Sequence, residues 1–207
     1  MRRRLRYLAP VAAVAVLGLA LAATGVSGSD GKREGKGRHA GPVARSLLKN
    51  ADGKAIAQVR LVGRRDGKVK VSVRARGVAP GFHGFHVHET GRCDPPGFMS
   101  AGGHHKQGDE AHGGHAGDMP PLLVTRDGRA RTQFVTDSFR VADLVAGDGS
   151  AIMIHTGRDN LANIPARYHS HVPDSSSTTF GPDAETLKTG DSGSRFACGV
   201  VRARGRG

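Results

Sequence analysis

Apolar and polar residues alternate strictly over Val69-Lys70-Val71-Ser72-Val73-Arg74-Ala75, the period-two pattern of a strand with one buried face. Ala55-Ile56-Ala57-Gln58-Val59-Arg60-Leu61-Val62 is also β-like, and Val43-Ala44-Arg45-Ser46-Leu47-Leu48 precedes it across a turn at Asn50-Ala51-Asp52-Gly53. Arg65-Asp66-Gly67 is a second turn signal, and Ala79-Pro80-Gly81 turns the chain into Phe82 to His88. Strand-like segments return at Leu122-Leu123-Val124, Arg131-Thr132-Gln133-Phe134-Val135, Ala151-Ile152-Met153-Ile154-His155 and Phe196-Ala197-Cys198-Gly199-Val200-Val201. Strands at such short spacing predict a sandwich or barrel. Two stretches lack the pattern, Glu89 to Pro121 and Thr156 to about Ser194. Loops of that length in a compact domain are usually functional or disordered. No internal repeat is evident. The pattern predicts an all-β scaffold carrying two long functional loops.

The chain ends read differently. Arg2, Arg3, Arg4 and Arg6 precede an apolar run from Leu8 to Ala23, followed by small residues. This is the form of a signal peptide, expected over residues 1–28. The alternative is a retained anchor, for which the run is marginal against the roughly 20 residues of a span. Residues 29–41 form a Gly-rich basic linker with Lys32, Arg33, Lys36 and Arg38, residues 42–201 the folded domain, and residues 202–207 a basic tail. The formal charge of +13 stays well positive without the leader. The basic ends are expected to be solvated and flexible, or weakly attracted to anionic envelope polymers. Aromatic residues make up 4% of the chain and Trp is absent, which weighs against a stacking platform for nucleic acid. Cys93 and Cys198, in an exported chain, most simply pair as a disulfide. The chain-entropy model puts closure of a loop of about 100 residues near 4.7 kcal/mol. Oligomeric state, monomer or homodimer, is open.

Eleven His against two Cys exclude a Cys-rich zinc scaffold and favour imidazole ligation. His86-Val87-His88 places two rings on one side of a strand, so both can reach one ion. The following loop adds His104, His112, His115 and Asp118. Three His and one Asp make a closed tetrahedral zinc shell, hence a structural site. His155 ends a separate strand and completes a second set with His86 and His88. A square copper(II) site built from imidazoles also needs four ligands. Two four-ligand sites need one more ligand than these seven residues supply, so one ring must serve both metals. His104, first in the loop, is the natural bridge.

Phe85-His86-Val87-His88-Glu89, Ser100-Ala101-Gly102-Gly103-His104, His112-Gly113-Gly114, His115-Ala116-Gly117-Asp118 and Gly193-Ser194-Arg195-Phe196-Ala197-Cys198-Gly199-Val200 occur in that order. Together they strongly resemble copper–zinc superoxide dismutase of the exported bacterial type, over about Pro42 to Val201. The resemblance implies a Greek-key β-sandwich or flattened barrel. It implies dismutation of superoxide to dioxygen and hydrogen peroxide by alternating copper reduction and reoxidation, protecting the cell envelope. By the same resemblance, His86, His88, His104 and His155 hold copper, and His104, His112, His115 and Asp118 hold zinc. Asp159 links a copper His to a zinc His, and such partners fix ring orientation. Arg195 is the anion-binding arginine beside the copper and His104 the proton-carrying bridge. Cys93 and Cys198 tie the first long loop to the sandwich. Glu185, Lys188 and Thr189 resemble charged and narrowing positions of the second loop.

His105 stands where the family usually has an aromatic residue, and is expected to pack. His39, His83, His169 and His171 match no ligand position and read as surface or packing residues, although His169 and His171 with Asp174 could take an adventitious metal. The competing function is a dismutase-like copper-binding or buffer protein without turnover. Storage needs neither Asp159 nor Arg195, and both are present.

Overall fold

The computed structural model describes residues 41–165, 167, 169–171 and 178–204, with the side chains of 169–171 and 178–180 left out. The expected leader, nearly all of the linker, His39, Asp174, the rings of His169 and His171, and the last three residues therefore lie outside the described residues. The described strands, in chain order, are β1 (Val43–Lys49), β2 (Ala55–Gly63), β3 (Val69–Arg76), β4 (Gly81–His83), β5 (Phe85–His88), β6 (Leu122–Val124), β7 (Arg129–Thr136), β8 (Ala151–His155), β9 (His169–His171), β10 (Thr178–Phe180), β11 (Arg195–Val200) and β12 (Arg202–Ala203). One helix, α1, spans Ala184–Thr189.

Eight strands form one curled, antiparallel sheet in the order β5-β8-β11-β1-β2-β3-β7, with β12 added on β1. β1, β2 and β3 follow one another as antiparallel neighbours, and β11 comes back to lie beside β1. The first and last long strands of the domain are thus neighbours in the sheet. The alternation read from the sequence is the alternation of burial. Val69, Val71, Val73 and Ala75 of β3 point inward, while Arg74 and Arg76 point outward. The core joins these residues to Leu48, Leu61, Phe85, Leu144, Ile152 and Ile154. Each fully buried side chain of this size contributes roughly 1.5–3 kcal/mol.

Three departures from the sequence reading matter for the site. The apolar segment Phe82 to His88 is two strands, because the chain changes partner at Gly84. β4 pairs β6, whereas β5 pairs β8. A Cβ at Gly84 would strike the Ser192 side chain. The second long loop is partly regular, holding the β9–β10 ladder and α1. The sheet also extends into the expected tail, since Arg202 and Ala203 pair with Arg45 and Ala44. No helix among the described residues is long and apolar enough to cross a membrane.

Candidate metal centre

Strand alternation alone would put His86 and His88 on one face. The structure adds a second constraint, because the first long loop folds back along β5. Val87 N–H donates to Gly117 O (2.9 Å), His105 N–H to Val87 O (2.8 Å) and Gly117 N–H to His105 O (2.7 Å). Gly117 is required there: a Cβ would strike Val87 O. This threading sets His86 opposite Asp118 and His88 opposite His104 in isolated antiparallel bridges. β8 brings His155 alongside, and Arg195 at the head of β11 is in register with it.

The rings then converge. One ligand atom from each of His86, His88, His104 and His155 lies within 4.8 Å of the others, and all four residues are buried. The Nε2 atoms of His88 and His155 are 3.4 Å apart. Their other ring nitrogens are held outward: His88 Nδ1–H donates to Gly102 O (3.0 Å) and His155 Nδ1–H to Gly193 O (3.1 Å).

A second set meets on Asp118. Its Oδ1 lies 2.8 Å from His104 Nδ1, 3.3 Å from His112 Nδ1 and 3.4 Å from His115 Nδ1. His104 Nδ1 and His115 Nδ1 are themselves 3.3 Å apart. These are edge lengths of a small tetrahedron of donors around one ion. By proximity His86 also falls in a group with His104, His112 and Asp118. His115 stands beside this group through its Nδ1, close to both Asp118 and His104.

That carboxylate joins the two sets. His86 Nε2–H donates to Asp159 Oδ2 (2.6 Å) and His112 Nε2–H to Asp159 Oδ1 (2.8 Å). The Nδ1 atoms of the same two rings are buried and have no hydrogen-bond partner. Orphaned buried ring nitrogens are costly, and they call for an ion or another occupant. Here each lies within a cluster of donors, so the residues present fit one copper and one zinc, with His104 common to both.

Burial and mutual repulsion keep His88, His104 and His155 neutral, the state a ligand needs. His88 lies well below the ordinary imidazole value, through desolvation and then the charge of His104. His104 is lowered to about 4, burial outweighing its bond to Asp118. His155 falls to about 3 through burial and the neighbouring His86. His112 is the exception. Burial lowers it, but the Asp118 and Asp159 carboxylates more than reverse this and raise it to about 9. Burial would raise Asp118 and Asp159, yet their imidazole partners hold both well below the usual carboxylate range.

Arg195 is half-buried at the copper-type cluster. Its Nη1–H donates to Phe98 O (2.7 Å) and its Nη2–H to Gly102 O (2.5 Å). Gly102 O therefore receives both Arg195 and His88. The segment supplying these carbonyls is tied down by the Cys93–Cys198 disulfide (Cα–Cα 5.7 Å). His105 joins neither cluster; its Nε2 is buried without a partner and its backbone pins the loop to β5. Glu185, Lys188 and Thr189 lie on α1, where Thr189 Oγ1–H donates to Glu185 O (2.9 Å).

Several contributors carry no sequence signal of ligation. Ser192 is fully buried and its Oγ–H donates to Asp159 Oδ2 (3.3 Å). Gly190 lies against the His112 ring with φ 63°, and a Cβ there would strike it. His83 is buried with Nδ1 2.8 Å from His155 O and Nε2 2.8 Å from Ala79 O, so it braces the strand that presents His155.

A curled antiparallel sheet carrying a four-imidazole cluster and an overlapping His₃Asp cluster, with His86 and His104 in both, has the make-up of a two-metal β-protein. Residues 54–201 match the copper/zinc superoxide dismutase (SODC) family. The chain is 39% identical over 176 residues to a superoxide dismutase [Cu-Zn] of Mycolicibacterium paratuberculosis, covering 79% of this chain and 76% of the relative. It is 40% identical over 169 residues to the corresponding protein of Mycobacterium tuberculosis, covering 75% and 68%. Among solved structures, a SOD-like protein from Bacillus subtilis aligns with TM-score 0.57 and 27% identity over 75% of this chain and 96% of that one. A doubly substituted form of a Bacillus subtilis SOD-like protein aligns equally well, at 28% identity. The chain belongs to the copper/zinc superoxide dismutase family. Its activity is the dismutation of superoxide, and its metals are copper and zinc.

Proposed function

We propose that His86 Nδ1, His88 Nε2, His155 Nε2 and the free side of His104 hold copper, and that the Nδ1 atoms of His104, His112 and His115 with Asp118 Oδ1 hold zinc. The observation that carries this reading is Asp159. It accepts from one nitrogen of His86 and one of His112, leaving the opposite nitrogen of each ring buried within a donor cluster, His86 Nδ1 without a partner and His112 Nδ1 3.3 Å from Asp118 Oδ1. Copper, when bound, supplies the one-electron couple that dismutation requires, and zinc a fixed charge beside His104. In the net reaction two superoxide ions and two protons give one dioxygen and one hydrogen peroxide.

The chain's own groups do the rest. Arg195 keeps its charge and uses only part of its donor fork on Phe98 O and Gly102 O, so its remaining N–H groups can orient an incoming anion. His104 takes up and returns one proton at Nε2, while the zinc-side cluster fixes its ring through Nδ1. Gly102 O couples the two functions, because it sets the direction of Arg195 and the tautomer of His88.

Residues 1–28 act as an export leader, 29–41 as a linker and 42–203 as the catalytic domain, β12 included, with the remaining residues to 207 a short basic tail. The enzyme then works outside the cytosol against extracellular superoxide at the envelope; the disulfide supports an oxidising compartment. The basic ends add weak attraction to anionic surfaces and no specific nucleic-acid recognition.

The test is superoxide decay, followed directly, with the copper- and zinc-loaded full chain. His155→Ala is expected to abolish turnover. Arg195→Gln is expected to lower kcat/KM by roughly 10–100-fold, the worth of about one charge-assisted hydrogen bond, with partial recovery in Arg195→Lys. Stoichiometric copper binding without turnover in the unaltered chain would instead make the protein a copper buffer.

A further inference from the structure

The outer face of β12, β1, β2, β3 and β7 carries seven arginines and nothing to neutralise them on those strands. None of the five contains an Asp or Glu. The register places like charges directly opposite: Arg202 with Arg45, Arg45 with Arg60, Arg74 with Arg131, and Arg76 with Arg129. Directly opposed like charges destabilise a sheet. All seven side chains are exposed. Among the described residues, the one ion pair on this band is Arg129 with Asp127, at 3.6 Å. The band lies away from β5 and β8 in the sheet order, so it is not part of the metal centre.

We propose that this face is a docking groove for a linear acidic polysaccharide. A groove of about 550 Å³ runs over it, lined by Arg45, Arg60, Arg74 and Arg131 together with Gln58, Ser72 and Gln133. Guanidinium forks match carboxylate or sulfate groups bidentately. The interleaved amides and hydroxyl match sugar hydroxyls. Paired arginines on neighbouring strands stand about 5 Å apart, and alternate residues of one strand about 7 Å apart. That density suits a chain with a charge on each sugar.

Other polyanions fit less well. No exposed aromatic ring is present on the five strands to stack a base; Phe134, on β7, packs against the core. A lipid surface would favour an apolar wedge; of the two exposed large apolar residues on these strands, Leu47 alone lines the groove, among four arginines, and Val135 lies outside it. The site is independent of turnover: it shares no residue with the metal centre.

The experiment is calorimetric titration of the full chain with alginate at low salt, alongside neutral dextran, duplex DNA and vesicles of anionic phospholipid. Alginate is expected to bind, dextran not, and binding to fall steeply with added salt. The triple variant Arg60→Ser, Arg74→Ser, Arg131→Gln is expected to bind alginate roughly a hundredfold more weakly, at the scale of polybasic attraction per residue. Its dismutation of superoxide should be unchanged and, since opposed charges are removed, its Tm no lower. If the triple variant misfolds, the pair Arg45→Gln and Arg74→Gln gives the same comparison with a smaller loss. Alginate binding that survives these substitutions would assign the attraction to the chain ends and overturn the proposal. So would no binding, or tighter binding to DNA or vesicles than to alginate.

Discussion

Both oxygens of Asp159 accept from imidazoles that belong to different donor clusters, and Leu161 N–H (2.6 Å) and Ser192 Oγ–H (3.3 Å) hold the carboxylate in place. One residue therefore fixes the tautomer of a ring on each side. Asp159→Asn keeps the volume but turns one acceptor into a donor that faces an N–H. Copper and zinc affinity are both expected to fall, by roughly 10–100-fold, as for other groups that orient ligand rings. Competition titration against a chelator of known affinity measures it. Unchanged affinity for both metals would show that the rings need no such partner. At this scale the histidine clusters were legible because residue type and spacing bring the rings together: His86 and His88 differ by two positions on a strand, and His104 to Asp118 share one loop. Asp159 was legible only through resemblance to a family, as its distance in sequence from both rings hides the contact. Phe98 O and Gly102 O, which hold Arg195, were not legible at all, because any residue offers a carbonyl.

Among the elements, α1 shows how a loop can read as structureless and still be built. Asp183 accepts from Thr186 N–H at its start, and Gly190 ends it in a left-handed conformation. Both signals stand in the sequence, but six residues are too few to show helical periodicity. The break between β4 and β5 was hidden for the opposite reason. Apolar residues stand on both sides of Gly84, so Phe82 to His88 reads as one segment, while the change of partner strand is not written in a local pattern. The helix matters because Leu187 O accepts His112 N–H (2.7 Å) and Gly190 abuts its ring. Gly190→Ala both strains a φ of 63° and displaces His112. It is expected to cost about 1–3 kcal/mol, in the range of overpacking, and to lower zinc content after dialysis; a melt and metal analysis of the same sample test it. Retained zinc with a lowered Tm would separate helix strain from ligand displacement. The disulfide acts on the other loop. Cys198→Ser is expected to lower stability by about 2–5 kcal/mol and, by freeing the segment bearing Phe98 and Gly102, to raise KM for superoxide. An unchanged KM would show that the loop holds Arg195 without it.

Over the whole molecule, the clusters make folding depend on pH in a way that metal should mask. In the metal-free protein His88, His104 and His155 have lowered folded values, about 4 for His104 and about 3 for His155. Above the unfolded value near 6.5 these rings are neutral in both states and contribute nothing to the pH dependence. Below it the unfolded chain takes up protons that the folded chain refuses, so stability falls as pH drops from about 6.5 toward about 4. His112 has the opposite sign. Raised to about 9, it contributes stability that is full below 6.5 and disappears as pH rises through 9. Asp118 and Asp159, held low, add stability present above about 4 and lost only in stronger acid. Three lowered rings oppose one raised ring, so the acid limb should be the steeper. Urea midpoints of the chelated protein are therefore expected to decline markedly between pH 7 and 4.5, and more gently between pH 7 and 9.5. Copper and zinc bind the folded state and the neutral rings, so the loaded protein should have higher midpoints and a flatter profile across neutral pH. A flat profile for the chelated chain from pH 7 to 4.5 would mean that the rings gain protons in the folded state as readily as in the unfolded one. The preformed neutral state of His88, His104 and His155 would then not exist before the metals arrive.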